Sequence, residues 1–155
     1  MRILRMIKLF ILMNSKTKKI LLEAFLFLAW ARIMKRKPFG ELVPILGLEV
    51  DETPSDIQES EKDIREISIA IQLASKYTFW ESMCLVRALA GLKMLERRKL
   101  ESTLYLGTSK DKNGKLIAHA WLRCGRIYIS GQETMNDFTV VGKFAKKIRC
   151  FEGAN

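Results

Sequence analysis

The amino-acid sequence predicts an α+β fold, with helices in the first two thirds of the chain and an antiparallel sheet in the last third. Apolar residues recur with helical spacing up to about residue 99, and from Thr103 onward they alternate with a period of two. Asn113-Gly114 and Gly125 mark turns between the alternating segments. A run of helices followed by strands with short connections is typical of the α+β class.

Two apolar helices are predicted first, over residues 3–13 and 18–35. The second ends before Pro38 and Gly40, because proline and glycine stop a helix. A short segment, Leu42 to Leu46, ends at Gly47, and the acidic run at residues 49–52 is the best candidate for a linker. The sequence therefore divides into an apolar, basic helical region, residues 1–50, and a core, residues 51–155.

The core is predicted to begin with a helix whose N-cap is Thr53, with Pro54 in the first turn and Asp56 near the positive helix end. Its apolar positions recur at helical spacing, which indicates a face packed in the interior. These positions are Ile57, Ile64, Ile67, Ile71 and Ala74.

Another helix is predicted from Ser82, or slightly earlier, to about Lys99. Thr78 and Glu81 have the spacing of a capping box, and Ser82 is a competing N-cap. Either cap leaves Cys84 within the first two turns.

Strands are predicted over residues 103–108, 116–124, 126–130 and 138–144. On the second strand His119, Trp121 and Arg123 share one face. The opposite face is apolar and is expected to pack on the core; it carries Leu116, Ala118, Ala120 and Leu122. We expect the helix that carries Cys84 to lie against the face of His119.

Composition excludes several classes of protein. Three cysteines without a Cys-x-x-Cys pair favour neither a disulfide framework nor a zinc site, and with one histidine we expect no metal and no cofactor. This cysteine usage favours a reducing, cytoplasmic location. The apolar stretch Ile20 to Ala31 contains Glu23 and is shorter than the ~20 residues that a transmembrane helix needs.

The net charge of +10 is unevenly distributed. Residues 1–40 hold ten basic residues and one acidic residue. Residues 41–66 hold two basic and nine acidic residues, and residues 67–155 hold fifteen basic and seven acidic residues. We interpret the N-terminal excess as a solvated rim on apolar helices, with attraction to an anionic membrane surface or an acidic peptide as the alternative. No aromatic-rich nucleic-acid module is present, so nucleic acid is not an expected partner.

Cys84 and His119 are the candidate catalytic residues. A free thiol has a pKa of about 8.5, which an imidazole and a helix N-terminus can lower. Each residue also has an ordinary explanation, Cys84 as a small buried hydrophobe and His119 as a half-exposed strand residue. A cysteine at a helix start followed by a histidine on a later strand is the order found in papain-like and transglutaminase-like thiol enzymes.

The segments CLVRALAGLKMLERR, LYLGT, AHAWLRCG and DFTVVGKFA resemble the transglutaminase-like leader peptidases of lasso-peptide gene clusters. LLEAFLFLAWARIMKRKPFGELVPILG resembles their helical N-terminal part. The resemblance implies a cysteine protease that removes the leader from a ribosomally made precursor peptide, with Cys84 as nucleophile and His119 as general base and acid. It also implies two partners, a small separate leader-recognition protein and an ATP-dependent lasso cyclase.

The third member of the triad departs from the family pattern, in which an aspartate on the next strand orients the histidine. Reflecting His119 through the turn at Gly125 leads to Gly131, where no acidic residue stands. Glu133 is the first candidate and Asp137 the alternative, and Gln132 is a neutral amide that could also orient the ring. The N–H of Cys84 and the indole of Trp80 or Trp121 are candidate oxyanion donors.

Because the aspartate is missing, a catalytically silent binding module stays an alternative function, and acyl transfer to an amine stays an alternative reaction.

Overall fold

The computed structural model describes residues 11–56, 61–78 and 83–148. The helices that lie wholly within these ranges are α1 Ser15–Met34, α2 Phe39–Leu46, α3 Glu61–Ser75 and α4 Cys84–Arg97. Its five strands are β1 Leu48–Glu49, β2 Ser102–Lys110, β3 Leu116–Cys124, β4 Ile127–Ser130 and β5 Thr139–Lys146. A 3₁₀ turn, Gln132–Asp137, joins β4 to β5. These elements confirm the predicted α+β class.

The strands form one antiparallel sheet in the order β1-β5-β2-β3-β4. Helix α4 packs on the sheet, and α1 and α3 pack on each other and on α4. One cluster of buried apolar side chains joins the helices to a face of the sheet, and its largest fully buried members are Leu28, Leu46, Ile64, Ile67, Ile71, Leu89, Leu92, Met94, Leu95, Leu104, Leu122 and Ile129. The division of the chain at residue 50 stays a prediction.

Helix α1 confirms the prediction of a helix over residues 18–35. The Asn14 side chain caps it by accepting a hydrogen bond from the N–H of Thr17 at 2.8 Å. A stripe of small and large apolar residues faces the core, namely Leu21, Ala24, Leu28 and Ala31. Glu23 accepts from Arg98 at 2.6 Å, so α1 is tied to the end of α4. No helix in the described ranges combines the length and hydropathy needed to cross a bilayer.

Helix α4 lies close to the sheet because Gly91 has no side chain. A Cβ at this position would lie 2.8 Å from Leu122 and 2.9 Å from Ile129, closer than carbon atoms pack. Cys84 precedes Gly91 by two helical turns and therefore lies on the same, sheet-facing side of α4. The sequence of α4 thus points the thiol of Cys84 toward the sheet.

The direction of α4 along the sheet follows from an ion pair at its C-terminal end. Glu96 bonds to Lys146 at 3.0 Å, and Lys146 pairs with Ser102 at the end of the sheet where β2 begins. Cys84 lies twelve residues before Glu96, about 18 Å along the helix. His119 pairs with a residue five positions beyond Ser102, about 17 Å along the strand. Both residues are therefore at the far end of the sheet.

Two local predictions were wrong. Thr53 does not cap a helix: it is buried, its N–H donates to the Thr103 hydroxyl at 2.9 Å, and the two hydroxyls lie 2.8 Å apart. A buried partner on the sheet thus outweighs a local capping preference. Leu116 and Ala118 are exposed, because α4 covers only the second half of that strand face, where Ala120 and Leu122 are buried. Ile57 and most of the predicted first helix, residues 3–13, lie outside the described residues.

Candidate active site

Cys84 is the first residue of α4 and is half-buried. Met83 precedes it in an extended conformation, and its side chain makes no capping hydrogen bond to the first N–H groups of α4. These groups carry partial positive charge, which stabilises an anion such as a thiolate. Thr78, one predicted cap, instead donates to the carbonyl of Ser75 at the end of α3. Trp80, Glu81 and Ser82 lie outside the described residues.

His119 is held by a main-chain carbonyl. Its Nε2 lies 2.8 Å from the oxygen of Gly131 and 3.3 Å from the hydroxyl of Thr134. A carbonyl oxygen only accepts hydrogen bonds, so Nε2 carries the ring proton. The lone pair of the neutral ring is then on Nδ1, which is the nitrogen able to accept a proton from a thiol.

Aromatic rings fix the plane of the imidazole. The ring of Phe138 lies 5.0 Å from that of His119, and the indole of Trp121 stacks on it at 5.7 Å. Tyr105 continues the row, stacked on Trp121 at 5.6 Å. Gly107 makes room for the indole, because a Cβ there would lie 2.8 Å from two of its ring atoms. Trp121 is buried in this row, so it is a packing residue and not an accessible oxyanion donor.

A polar network supports the far end of this row. The buried guanidinium of Arg123 donates to the Tyr105 hydroxyl at 3.0 Å, the carbonyl of Thr53 at 2.8 Å and the carbonyl of Gly125 at 2.6 Å. The Tyr105 hydroxyl donates to Glu52, which also bonds to Lys143. The network fastens the segment before α3 to the sheet face that carries His119.

Two pKa values in the network are shifted. The hydrogen bond from Lys143 lowers the pKa of Glu52, partial burial opposes this, and the bond from Tyr105 adds to the lowering. Burial raises the pKa of Tyr105 against the opposing effect of Arg123. At neutral pH the network therefore holds an ionised Glu52 and a neutral Tyr105 that donates to it.

The carboxylates predicted for the triad do not contact the imidazole. Glu133 and Asp137 lie exposed on the 3₁₀ turn, and within the described ranges neither hydrogen-bonds to His119. The reflection through Gly125 nevertheless led to Gly131, whose carbonyl contacts His119, although the pairing of Leu122 with Ser130 places Gly131 beside Trp121 on β3. Sequence reasoning missed Thr134 and the Gly131 carbonyl, since a backbone acceptor has no residue type to reveal it.

Cys84 and His119 approach from different faces of the sheet. Helix α4 contacts the face of Leu122, whereas His119 lies on the alternate face with Trp121, contrary to the expectation that both share one face. No hydrogen bond joins the two residues in the described part of the chain. They share one end of the sheet, and their action as a pair stays a prediction.

A cavity of about 310 Å³ adjoins the anchor of His119. It runs beside the edge strand β4 and is lined by Gln72, Tyr128, Ser130, Gly131, Gln132 and Glu133. A larger cavity of about 520 Å³ lies between α1, α3 and the end of α4, with Lys16, Asp63, Glu66 and Arg98 in its lining. The larger cavity is not lined by Cys84 or His119, whereas the smaller one is lined by Gly131, whose carbonyl contacts His119.

Residues 26–143 match the model of the transglutaminase-like superfamily, which is well over half of the chain. No curated protein and no solved structure matched in the corresponding comparisons. Among the described residues no cluster of three or more His, Cys, Asp or Glu side chains has the arrangement of a metal site. The matched range includes both Cys84 and His119, together with the whole sheet except the last residues of β5. The chain belongs to the transglutaminase-like superfamily.

Proposed function

We propose that the protein is a cysteine peptidase that removes the leader from a ribosomally made lasso-peptide precursor. The observation that carries the proposal is the 2.8 Å contact between Nε2 of His119 and the Gly131 carbonyl, from which we infer that the basic lone pair is on Nδ1. Cys84, at the first position of α4 and on its sheet-facing side, is the thiol at the same end of the sheet. Membership of the transglutaminase-like superfamily supports a thiol mechanism.

In the proposed reaction Nδ1 of His119 takes the proton from Cys84, and the thiolate attacks the scissile carbonyl. The tetrahedral oxyanion collapses to a thioester, and His119 returns the proton to the leaving amine. His119 then activates water, which hydrolyses the thioester and regenerates the thiol. The first N–H groups of α4 are oriented to stabilise the oxyanion near Cys84.

The substrate and partners in this proposal rest on the sequence resemblance to lasso-peptide leader peptidases. A small separate leader-recognition protein would present the precursor, and an ATP-dependent lasso cyclase would use the released core peptide. A cytoplasmic location is part of the same proposal. The smaller cavity beside β4 offers polar groups, among them Gln72, Gln132 and Glu133, next to the proposed catalytic histidine.

The proposal is tested by incubating the protein with the precursor and the recognition protein and measuring product masses. We expect the wild type to give leader and core with hydrolysed ends, and Cys84→Ala and His119→Ala to give neither. Cys124→Ala is the matched control, since this buried thiol lies at the opposite end of β3. Normal cleavage by either of the first two variants would contradict the proposal, and an amine adduct would indicate acyl transfer.

A second candidate function is binding to an anionic membrane surface, favoured by the outer face of α1. Leu22, Leu26 and Ile33 are exposed by 53%, 72% and 60%, and Lys18 and Lys19 extend this face toward the helix start. Apolar and basic residues on one helix face are typical of interfacial binding. Co-sedimentation with phosphatidylserine vesicles but not phosphatidylcholine vesicles, lost in Leu26→Glu, would support it; equal behaviour on both vesicles would contradict it.

A further inference from the structure

We propose that the main-chain carbonyl of Gly131, assisted by the Thr134 hydroxyl, positions His119 in place of the family's aspartate. This inference rests on the proposed function, because it concerns how the catalytic histidine is oriented. It assigns the third position of the triad to a backbone atom, and it explains why the chain has no carboxylate there.

The backbone at Gly131 requires glycine. Its φ of 81° lies in the left-handed region, and a Cβ would lie 2.4 Å from the carbonyl oxygen of Ala120 and 2.8 Å from Cβ of Trp121. An aspartate at this position would therefore displace the backbone from β3. Glycine instead lets the chain approach β3 closely, and this approach brings its carbonyl to 2.8 Å from Nε2 of His119.

Among the described residues, the printed contacts of the imidazole are with aromatic rings, a carbonyl and a hydroxyl. Phe138 and Trp121 contact the ring on its faces and hold its plane toward Gly131. Thr134, on the 3₁₀ turn, adds the second and longer contact to Nε2. Glu133, next to it in the chain, is exposed and lines the cavity beside β4. The turn thus presents a hydroxyl to the ring and a carboxylate to the cavity.

A neutral carbonyl does only part of what an aspartate does. It fixes the tautomer and the ring orientation, but it lacks the full negative charge that stabilises an imidazolium. Removing the Thr134 hydroxyl costs one neutral hydrogen bond, so we expect Thr134→Val to lower kcat about 2- to 10-fold with KM unchanged. Asp137→Asn is expected to leave kcat within about 2-fold, because this exposed carboxylate does not touch the ring.

The decisive experiment is ¹⁵N NMR of the imidazole, which needs no substrate. His119 is the only histidine in the sequence, so its two ring nitrogens are assigned without ambiguity. We expect the neutral ring to carry its proton on Nε2 in the wild type and in Glu133→Gln. In Thr134→Val the Nε2–H resonance should shift, while Thr139→Val, an exposed threonine beyond the turn, should leave it unchanged.

A proton on Nδ1 in the wild type, or an Nε2–H resonance that Glu133→Gln moves more than Thr134→Val, would overturn the proposal. Gly131→Ala should have a larger effect, namely the loss of the fixed tautomer of His119 in the folded protein. If Gly131→Ala does not fold, Thr134→Val tests the proposal. The NMR measurement of the His119 tautomer needs no substrate, so its result does not depend on whether the protein cleaves a peptide. A wild type with the Nε2–H tautomer and full cleavage by Cys84→Ala would therefore refute the peptidase and leave the positioning of His119 standing.

Discussion

The two faces of the sheet are built from different chemistry. The face under α4 is apolar: Leu104, Leu122 and Ile129 are fully buried, and Gly91 lets the helix approach them. The other face carries a row of rings that ends at His119 and begins at the hydrogen-bonded pair of Arg123 and Tyr105. The first face supplies most of the burial that stabilises the fold and orients Cys84, and the second fixes the histidine.

This difference shows how one short strand can serve both stability and chemistry. Successive residues of β3 point to opposite faces of the sheet. Ala120 and Leu122 therefore contribute to the core, and Trp121 and Arg123 contribute to the row of rings and its support. Substitutions on the apolar face should therefore act on the free energy of unfolding. Substitutions on the other face should act on the environment of His119 as well.

The largest expected effect is on the apolar face. Leu122→Ala removes a fully buried side chain beneath α4, and we expect the free energy of unfolding to fall by about 2–5 kcal/mol. Leu116→Ala on the same strand is the control, because Leu116 is 66% exposed and should cost about 0.5 kcal/mol or less. Urea unfolding measures both, and equal losses would show that the face of β3 is not divided as described.

Arg123→Met should have an intermediate effect. It removes the guanidinium that three buried oxygen atoms share, those of Tyr105, Thr53 and Gly125, and unsatisfied buried acceptors cost about 1–3 kcal/mol. We also expect the NMR signals of His119 to move, because the row of rings loses its support. Arg126→Met, at a side chain 74% exposed, should change neither quantity. An unchanged NMR spectrum of His119 in Arg123→Met would show that the Arg123 network does not support the position of His119.

The smallest expected effect concerns Glu52 and depends on pH. Its pKa is lowered in the folded protein from an ordinary value of 4.5, so its ionised form stabilises the fold at neutral pH. This contribution is fully present above about pH 4.5 and is lost as the pH falls through the lower, folded value. Because Glu52 is 41% exposed, we expect Glu52→Gln to cost about 1 kcal/mol or less at pH 7.

Thermal unfolding of the wild type and Glu52→Gln between pH 7 and pH 3 measures this prediction. The difference between the two should shrink as the pH falls below 4.5. Glu133→Gln, at an exposed carboxylate, provides the matched control and should track the wild type. A difference that grows toward acidic pH would have the wrong sign for a carboxylate with a lowered pKa.

The sequence predicted the class of fold because the fold class depends on local patterns, whereas the location of the site stays a prediction. The change from helical spacing to alternation located the sheet, and the turn at Gly125 led to Gly131, whose carbonyl contacts His119. Contacts between distant segments were not predictable. Thr53 has a good local capping sequence, yet it pairs with Thr103, fifty residues away. The partner of His119 is a carbonyl, which every residue has, so only the fold reveals it.

The central claim is that Cys84 and His119 act as one pair, and alkylation of Cys84 by iodoacetamide tests it most directly. A free thiol is only about 1% ionised at pH 6.5, whereas a thiol activated by an imidazole and a helix N-terminus reacts at least about 10-fold faster at that pH. We predict this enhancement at Cys84, read by peptide mass spectrometry, and its loss in His119→Ala but not in Glu133→Gln. A rate at Cys84 that is the same with and without His119 would contradict the account.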